Sequence, residues 1–417
     1  MSLPHETAGF DVDAIRACFP ALSPVAGTQG TAYFDGPGGS QTPTAVADAI
    51  REAMLRPLSN RGHNTTAERN AEEIVGQCRR ALGDLLNADP DEVIFGRSMT
   101  ALTFDLSRTL SAQWRPGDEI VVTRLDHDAN VRPWVIAAAN AGAVIRWVDF
   151  DPATSELPVQ NVEAQLGPRT RLVAVTAASN LIGTMPDVRT IAERTHAAGA
   201  LLYVDGVHYT AHNTVDFRDL GADFFACSPY KFLGPHCGVV VGRRDLLAEL
   251  RPDKLLPATD RVPERFERGT LPYELMAGTT AAVDFLAGMT SAPGNRRARL
   301  VAAMSALEGH EDSLRMRIEA GLRQLPKVTI HSRAARRTPT LLLTFADQDA
   351  APISAALAQR DINAPAGSFY AYEASRFLGL GDAGGVRIGL APYNSADDVE
   401  RLVDSLAEIV DHRDGLT

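Results

Sequence analysis

The sequence predicts an α/β protein, with a large domain built on a mostly parallel sheet followed by a smaller α+β domain. Two observations carry this. From about residue 90, short runs rich in Val and Ile alternate with helical patterns, as βαβ units do. Past about residue 285 the alternation gives way to longer helical stretches and a few separate strands. At about 150 residues per domain, a chain of 417 has room for both. The expected division is an N-terminal segment over 1–30 that packs with the small domain, a large domain over 31–284 and the small domain over 285–417.

In chain order, a first strand ends near Phe95-Gly96 and turns into a helix with Leu102, Leu106 and Leu110 on one side. Strands follow at 118–125 (DEIVVTRL), 143–150 (AVIRWVDF), 171–179 (RLVAVTAAS) and 200–206 (ALLYVDG), with two more at 222–228 and 238–242. The stretches 130–141 and 187–198 carry apolar residues at helical spacing and stop near Gly142 and Gly199, as helix C-termini do. The C-terminal part reads as a helix over 298–324, strands at 327–331 and 340–345, a helix over 351–360, a strand at 386–390 and a last helix. Ser395 caps that helix, Asp397, Asp398 and Glu400 suit its positive end, and Val399, Leu402, Val403, Leu406, Ile409 and Val410 form its packing face. The Gly-rich stretch 379–385 is expected to be a loop between elements.

Composition narrows the function. Hydrophobic residues at 45% and charged residues at 22% exclude a disordered, collagenous or coiled-coil chain. The 41 Lys and Arg against 52 Asp and Glu leave a charge of −11 with no basic stripe, so nucleic acid is not an expected partner. Cys18, Cys78, Cys227 and Cys237 form no CxxC pair, which suits a reduced, cytoplasmic setting. No export signal and no uninterrupted apolar run of 18 residues is seen, so neither export nor membrane insertion is expected.

Open parallel sheets bind ligands beyond the carboxyl ends of their strands. Here those ends are polar: Asp126-His127-Asp128, Asn180, Asp205 with His208 beyond it, and Ser228-Pro229-Tyr230-Lys231. A lysine, an aspartate, a histidine and an asparagine converging on one crevice suit pyridoxal 5′-phosphate. That cofactor needs a lysine imine, an acid beside its ring nitrogen, a planar group against its face and donors for its phosphate. The phosphate site is expected at Ser98-Met99-Thr100, where a helix begins. His208 and His212 stand four apart, but with no third ligand in sight no metal is expected.

With these residues in place, the sequence resembles the fold-type I, class V aminotransferases, and within them the cysteine desulfurase-like group that includes selenocysteine lyases. The likeness rests on YFDGPGG at 33–39, where the family usually has an Asp-Asn-Ala-Ala version, and on DHDANVRPW at 126–134, SNLIGT at 179–184, VDGVH at 204–208, SPYKFLGPHCG at 228–238 and RGT at 268–270. The resemblance implies that Lys231 carries the cofactor as a Schiff base, Asp205 pairs with the pyridine nitrogen and His127 stacks on the ring. Asn180 and His208 are placed near the phenolic oxygen. Ser98, Met99, Thr100, Ser228 and Tyr230 are placed around the phosphate. Gly269 and Thr270 match a segment that reaches the partner subunit's phosphate, which implies a homodimer with shared sites. Arg387, in VRIGLAPYN, matches the arginine that grips the substrate carboxylate. Gly38, Asn60, His63 and Tyr370 are candidates for the substrate side.

One departure bears on the reaction. Group members that release sulfur from cysteine carry a nucleophilic Cys on a mobile loop, preceded by an Arg. The matching stretch here, 363–371, reads NAPAGSFYA, with Tyr370 at the nucleophile's place and Pro365 at the arginine's. The expected activity is therefore a pyridoxal-phosphate lyase that eliminates sulfur from the β-carbon of a cysteine S-conjugate. The alternatives are an aminotransferase, epimerase or oxidative deaminase, a cysteine desulfurase with another sulfur acceptor such as Cys237, and a silent scaffold with the same fold.

Overall fold

The computed structural model describes residues 9–23 and 30–411; positions 1–8 and 24–29 of the expected N-terminal segment and positions 412–417 lie outside the described residues. In chain order the strands are β1 (Ala32–Tyr33), β2 (Val93–Gly96), β3 (Glu119–Thr123), β4 (Val144–Val148), β5 (Thr170–Thr176), β6 (Leu201–Asp205), β7 (Phe224–Cys227) and β8 (Gly238–Gly242). The remaining strands are β9 (Val328–Ile330), β10 (Thr340–Phe345), β11 (Ile362–Asn363), β12 (Ala366–Gly367) and β13 (Gly385–Gly389). Every strand expected after residue 90 is present, most of them shorter by one to three residues at their polar ends.

Seven strands form the large sheet in the order β2-β8-β7-β6-β5-β3-β4, and β8 alone runs antiparallel to its neighbours. Period-two alternation divides its side chains between two cores. Val121, Val173, Val175, Leu202 and Val204 face one way, onto Ile74, Leu82 and Leu86 of the helix Thr66–Leu86. Ile120, Val122, Leu172, Ala174 and Tyr203 face the other, onto Leu102 and Leu106 of the helix Met99–Ser111 and onto Trp134. With both faces covered, the central strands need the near-continuous apolar runs read in the sequence.

Three helices preceding or following the alternating region carried no strand-like cue and were not anticipated. Thr44–Leu55, Thr66–Leu86 and Tyr273–Ala287 pack together over the first core. The second begins with a capping box, Thr65 Oγ1 accepting from Glu68 N and the Glu68 carboxylate accepting from Thr65 N.

A second sheet, β12-β13-β10-β9, is antiparallel and packs against the helices Arg296–Leu322, Ala350–Ala358 and Ala396–Asp411 around Leu341, Leu343, Leu402 and Leu406. The last helix is capped by Ser395, whose Oγ accepts from Asp398 N. The segment 363–371 is not wholly loop: β11 pairs in parallel with β1, and β12 pairs with β13. This stitching brings residues near 35 beside residues near 389. The helix Val12–Arg16 reaches the C-terminal part through Arg16, which pairs with Asp398 at 2.7 Å, while Phe19 packs edge-on against Phe285 and Tyr393. Among the described residues no helix is long and apolar enough to cross a membrane.

At the amino end of the sheet, away from the strand ends singled out above, the buried Asp223 carboxylate accepts from Leu202 N at 2.7 Å and Arg243 Nη1 at 3.0 Å, and meets His196 Nε2 at 2.9 Å. Asp223→Ala strips three groups of their partner. We expect it to lower stability by about 3 kcal/mol in urea unfolding without loss of cofactor binding. An unchanged midpoint would contradict this.

Candidate active site

At the carboxyl ends of β5, β6 and β7 lies a cavity lined by Ser98, Met99, Thr100, His127, Thr176, Ala178, Asn180, Asp205, Val207, His208, Ser228, Tyr230 and Lys231. Sheet register puts the charges there: Asp205 ends β6 opposite Ala226 of β7, and Lys231 follows β7 by one 3₁₀ turn, Pro229–Lys231. Lys231 is one of only three lysines in the chain, with Lys254 and Lys327, a compositional signal that singles it out among 41 basic residues.

Burial and neighbouring charges set the protonation of these groups. Lys231 is pushed down to about 8 by burial and the Arg387 charge, against the pull of Asp205 and Asp35. Asp205 is pushed up to about 6 by burial, opposed by the Val207 N–H on its Oδ1 at 2.9 Å and by Lys231. The imidazole of His127 is neutral, held down to about 3 by burial, Lys231 and Arg387. Its Nδ1 accepts from Ala129 N at 3.0 Å, so its proton sits on Nε2.

The turn presenting His127 hangs from Asp126, a buried carboxyl pushed up to about 8 by burial. It accepts from Thr123 Oγ1 and, at 2.7 Å, from Asn130 Nδ2; Asn130 Oδ1 in turn takes the Trp134 indole N–H at 3.0 Å.

The residues present fit pyridoxal phosphate. A buried carboxylate, an amine, a flat neutral imidazole and the amino end of the 13-residue helix Met99–Ser111 share one cavity. Asn180 Oδ1 and His208 Nδ1 are buried in its wall with no partner. Gly238 is required beneath the Ser98–Thr100 turn, because a Cβ there would overlap the Ser98 carbonyl carbon and the Met99 amide nitrogen.

Other expected residues lie outside the cavity or are engaged within its wall. Arg387 lines neither this cavity nor the adjoining one. Its guanidinium pairs with Asp35 at 2.6 Å, donates to Asn180 O at 3.2 Å and is covered by the Phe369 ring at 3.7 Å. His208 turns Nε2 to the hydroxyls of Thr338 and Thr340, both at 2.9 Å. Tyr230 stacks on His236 and separates the cavity from a second chamber that contains Gly38. Tyr370 is 76% exposed, with its ring 5.6 Å from His127. Asn60, His63, Gly269 and Thr270 are exposed and line no part of this chain's cavity. His212 bonds Glu311 at 2.9 Å, and no group of three His, Cys, Asp or Glu that could hold a metal occurs among the described residues.

The sequence matches the class-V aminotransferase model over residues 32–402. The chain belongs to the class-V aminotransferase family. Members of this family are pyridoxal 5′-phosphate-dependent enzymes that act on amino acids. Among relatives of this class-V protein, an uncharacterized protein of Mycobacterium tuberculosis is 31% identical over 403 residues, 96% of this chain and 99% of its own. An aminotransferase-like protein of Gibberella zeae is 29% identical over 417 residues, 97% of this chain and all of its own. In structure, a cysteine desulfurase from Escherichia coli superposes with a TM-score of 0.84 at 26% identity, over 97% of this chain and 99% of that one. The large mixed sheet with its helices is the fold-type I arrangement.

Two outcomes follow for this class-V enzyme. Gly238→Ala should abolish cofactor retention while leaving a folded protein, read by absorbance near 400–430 nm after gel filtration, on the order expected for a Schiff base; full retention would contradict the close approach. Lys231 is lowered from its ordinary 10.5 to about 8, so the native state binds fewer protons than the unfolded one in that interval. Stability of the cofactor-free protein should therefore rise with pH from about 8 to about 10.5, and Lys231→Met should flatten that rise.

Proposed function

We propose that this enzyme cleaves the C–S bond of a cysteine S-conjugate by β-elimination, converting conjugate and water into thiol, pyruvate and ammonium. The observation that carries the reading is a cavity that gathers Lys231, Asp205 and His127 with no cysteine in its lining. The segment 363–371 holds no cysteine. Cys237 is buried against Thr279 and pushed up to about 12, Cys227 is pushed higher still by burial, Cys78 is fully buried, and Cys18 bonds Ala14 O. A persulfide route has no thiolate to receive the sulfur.

Pyridoxal phosphate, when bound, supplies an electron sink for negative charge at the substrate Cα. Asp205 would face its ring nitrogen, His127 its ring, and Ser228 with the Ser98–Thr100 turn its phosphate. Asn180 Oδ1 and His208 Nδ1 would find partners on it. Lys231, with its affinity for protons brought near neutrality by burial, is the base that takes the proton from Cα at Nζ and can return it to the departing sulfur. His127, held neutral by burial, Lys231 and Arg387, would stand against the ring and not serve as the acid. Arg387, paired with Asp35 and roofed by Phe369, would have to be uncovered to take the substrate carboxylate, and its charge is felt by Lys231, His127 and His208. Gly269 and Thr270, exposed here, would meet a partner subunit's phosphate in a homodimer.

The experiment is a coupled assay for pyruvate with a panel of S-substituted cysteines. Wild-type protein should release thiol and pyruvate in equal amounts, and Lys231→Ala should lower the rate by at least about 10³-fold. Transamination or racemisation of the same compounds without pyruvate would overturn the reading.

A further inference from the structure

His208 reaches the cavity from the turn after β6, and its Nε2 is held from the C-terminal part of the chain. Thr338 Oγ1 and, at the start of β10, Thr340 Oγ1 each lie 2.9 Å from it. All three side chains are buried. An imidazole nitrogen beside hydroxyls can give a hydrogen or take one, and the supply of acceptors decides which. The Thr338 hydroxyl has two oxygens to donate to, Thr340 Oγ1 at 3.3 Å and Gly183 O at 3.4 Å. The Thr340 hydroxyl has only His208 Nε2, because the contact between the two hydroxyls is a bond from Thr338 to Thr340. With the hydrogen on Nε2, the Thr340 proton would be buried without an acceptor, which folded proteins avoid. The donors therefore run one way, from Thr338 to Thr340 to Nε2, and the imidazole hydrogen sits on Nδ1.

That nitrogen is buried and has no partner. His212 does not take it: the two rings meet edge-on with centroids 4.8 Å apart, and the His212 ring is bonded through its own Nδ1 to Glu311 at 2.9 Å. Burial, and after it the neighbouring His212, Lys231 and Arg387, hold the proton affinity of His208 well below its ordinary range, so the ring is neutral and offers a single N–H. Asn180 cannot supply the same donor from its side of the wall. Its amide nitrogen is engaged by Phe369 O at 2.9 Å, and only its Oδ1, an acceptor, is left over.

We propose that Thr338 and Thr340 are positioning residues that fix His208 as the Nδ1–H tautomer, so that the cavity wall presents a neutral hydrogen-bond donor to an acceptor oxygen of the cofactor. This rests on the assignment of the cavity to pyridoxal phosphate and not on which substrate bond is cleaved.

The test is nitrogen NMR of the holoenzyme with its ten histidines isotopically labelled in the ring, the His208 signals being those that His208→Gln removes. Wild-type protein should show His208 with Nδ1 protonated and Nε2 bare. Thr338→Ser with Thr340→Ser keeps both hydroxyls and should keep that pattern. Thr338→Val with Thr340→Val removes both, since Thr338 alone could turn to Nε2, and should lose it. The valine pair and His208→Leu should each raise the cofactor dissociation constant by about tenfold, followed by absorbance, while the serine pair binds as wild type does. A hydrogen on Nε2 in wild-type protein would overturn the proposal with no threonine variant needed, so it stays testable if the valine pair does not fold. Retention of the Nδ1 pattern in the valine pair, or unchanged cofactor binding in both the valine pair and His208→Leu, would overturn it too. Absence of pyruvate in a protein that meets these expectations would contradict the cleavage reading alone.

Discussion

Two opposite charges, the carboxylate of Asp205 and the ammonium of Lys231, are buried within each other's field at the carboxyl edge of a parallel sheet. Burying them costs more than their attraction returns, so they contribute little to stability. What holds them is register. Thr176, Asp205 and Ala226 lie side by side across β5, β6 and β7, and the apolar strands beneath are packed on both faces. The sheet's hydrophobic cores therefore carry the cost of a site whose groups titrate near neutrality.

Around that pair the supporting groups fall into two kinds. Some fix a side chain: the Asp126–Asn130–Trp134 chain under His127, and the Thr338 and Thr340 hydroxyls on His208. Others leave a polar atom without a partner, as at Asn180 Oδ1 and His208 Nδ1. Buried polar atoms without partners are rare in folded proteins, and two of them in one cavity wall suit a site made for a polar ligand. Cys78, Cys227 and Cys237 are all buried, which supports the proposed reading without a sulfur acceptor.

Much of this was legible in the sequence, for a physical reason. In an open parallel sheet, strand ends are where ligands bind, so Asn180, Asp205, Ser228 and Lys231 could be picked out as soon as their strands were recognised. The helices Thr66–Leu86 and Tyr273–Ala287 were not recognised. The first carries both a capping box and an apolar stripe, Ile74, Val75, Cys78, Leu82, Leu85 and Leu86, that was passed over ahead of the βαβ region, and the second is apolar nearly all round, which a periodicity search for one-sided helices misses. Strands β1 and β11 are two residues long and leave no pattern at all. Their pairing is what carries Asp35 to Arg387, and a separate bridge between Thr184 and Arg337 brings Thr338 and Thr340 to His208. Contacts between residues more than a hundred positions apart have no local signal, so Arg387 could be identified as a residue of interest but not as one already paired and roofed.

The central claim is that Lys231 is the covalent anchor of the cofactor, and the chain's three lysines make it directly measurable. Holoprotein reduced with borohydride, digested and analysed by mass spectrometry should carry the pyridoxyl-phosphate mass on the peptide containing Lys231 and on no other. Label on the Lys254 or Lys327 peptide, or no label in a protein that retains the cofactor, would contradict the account.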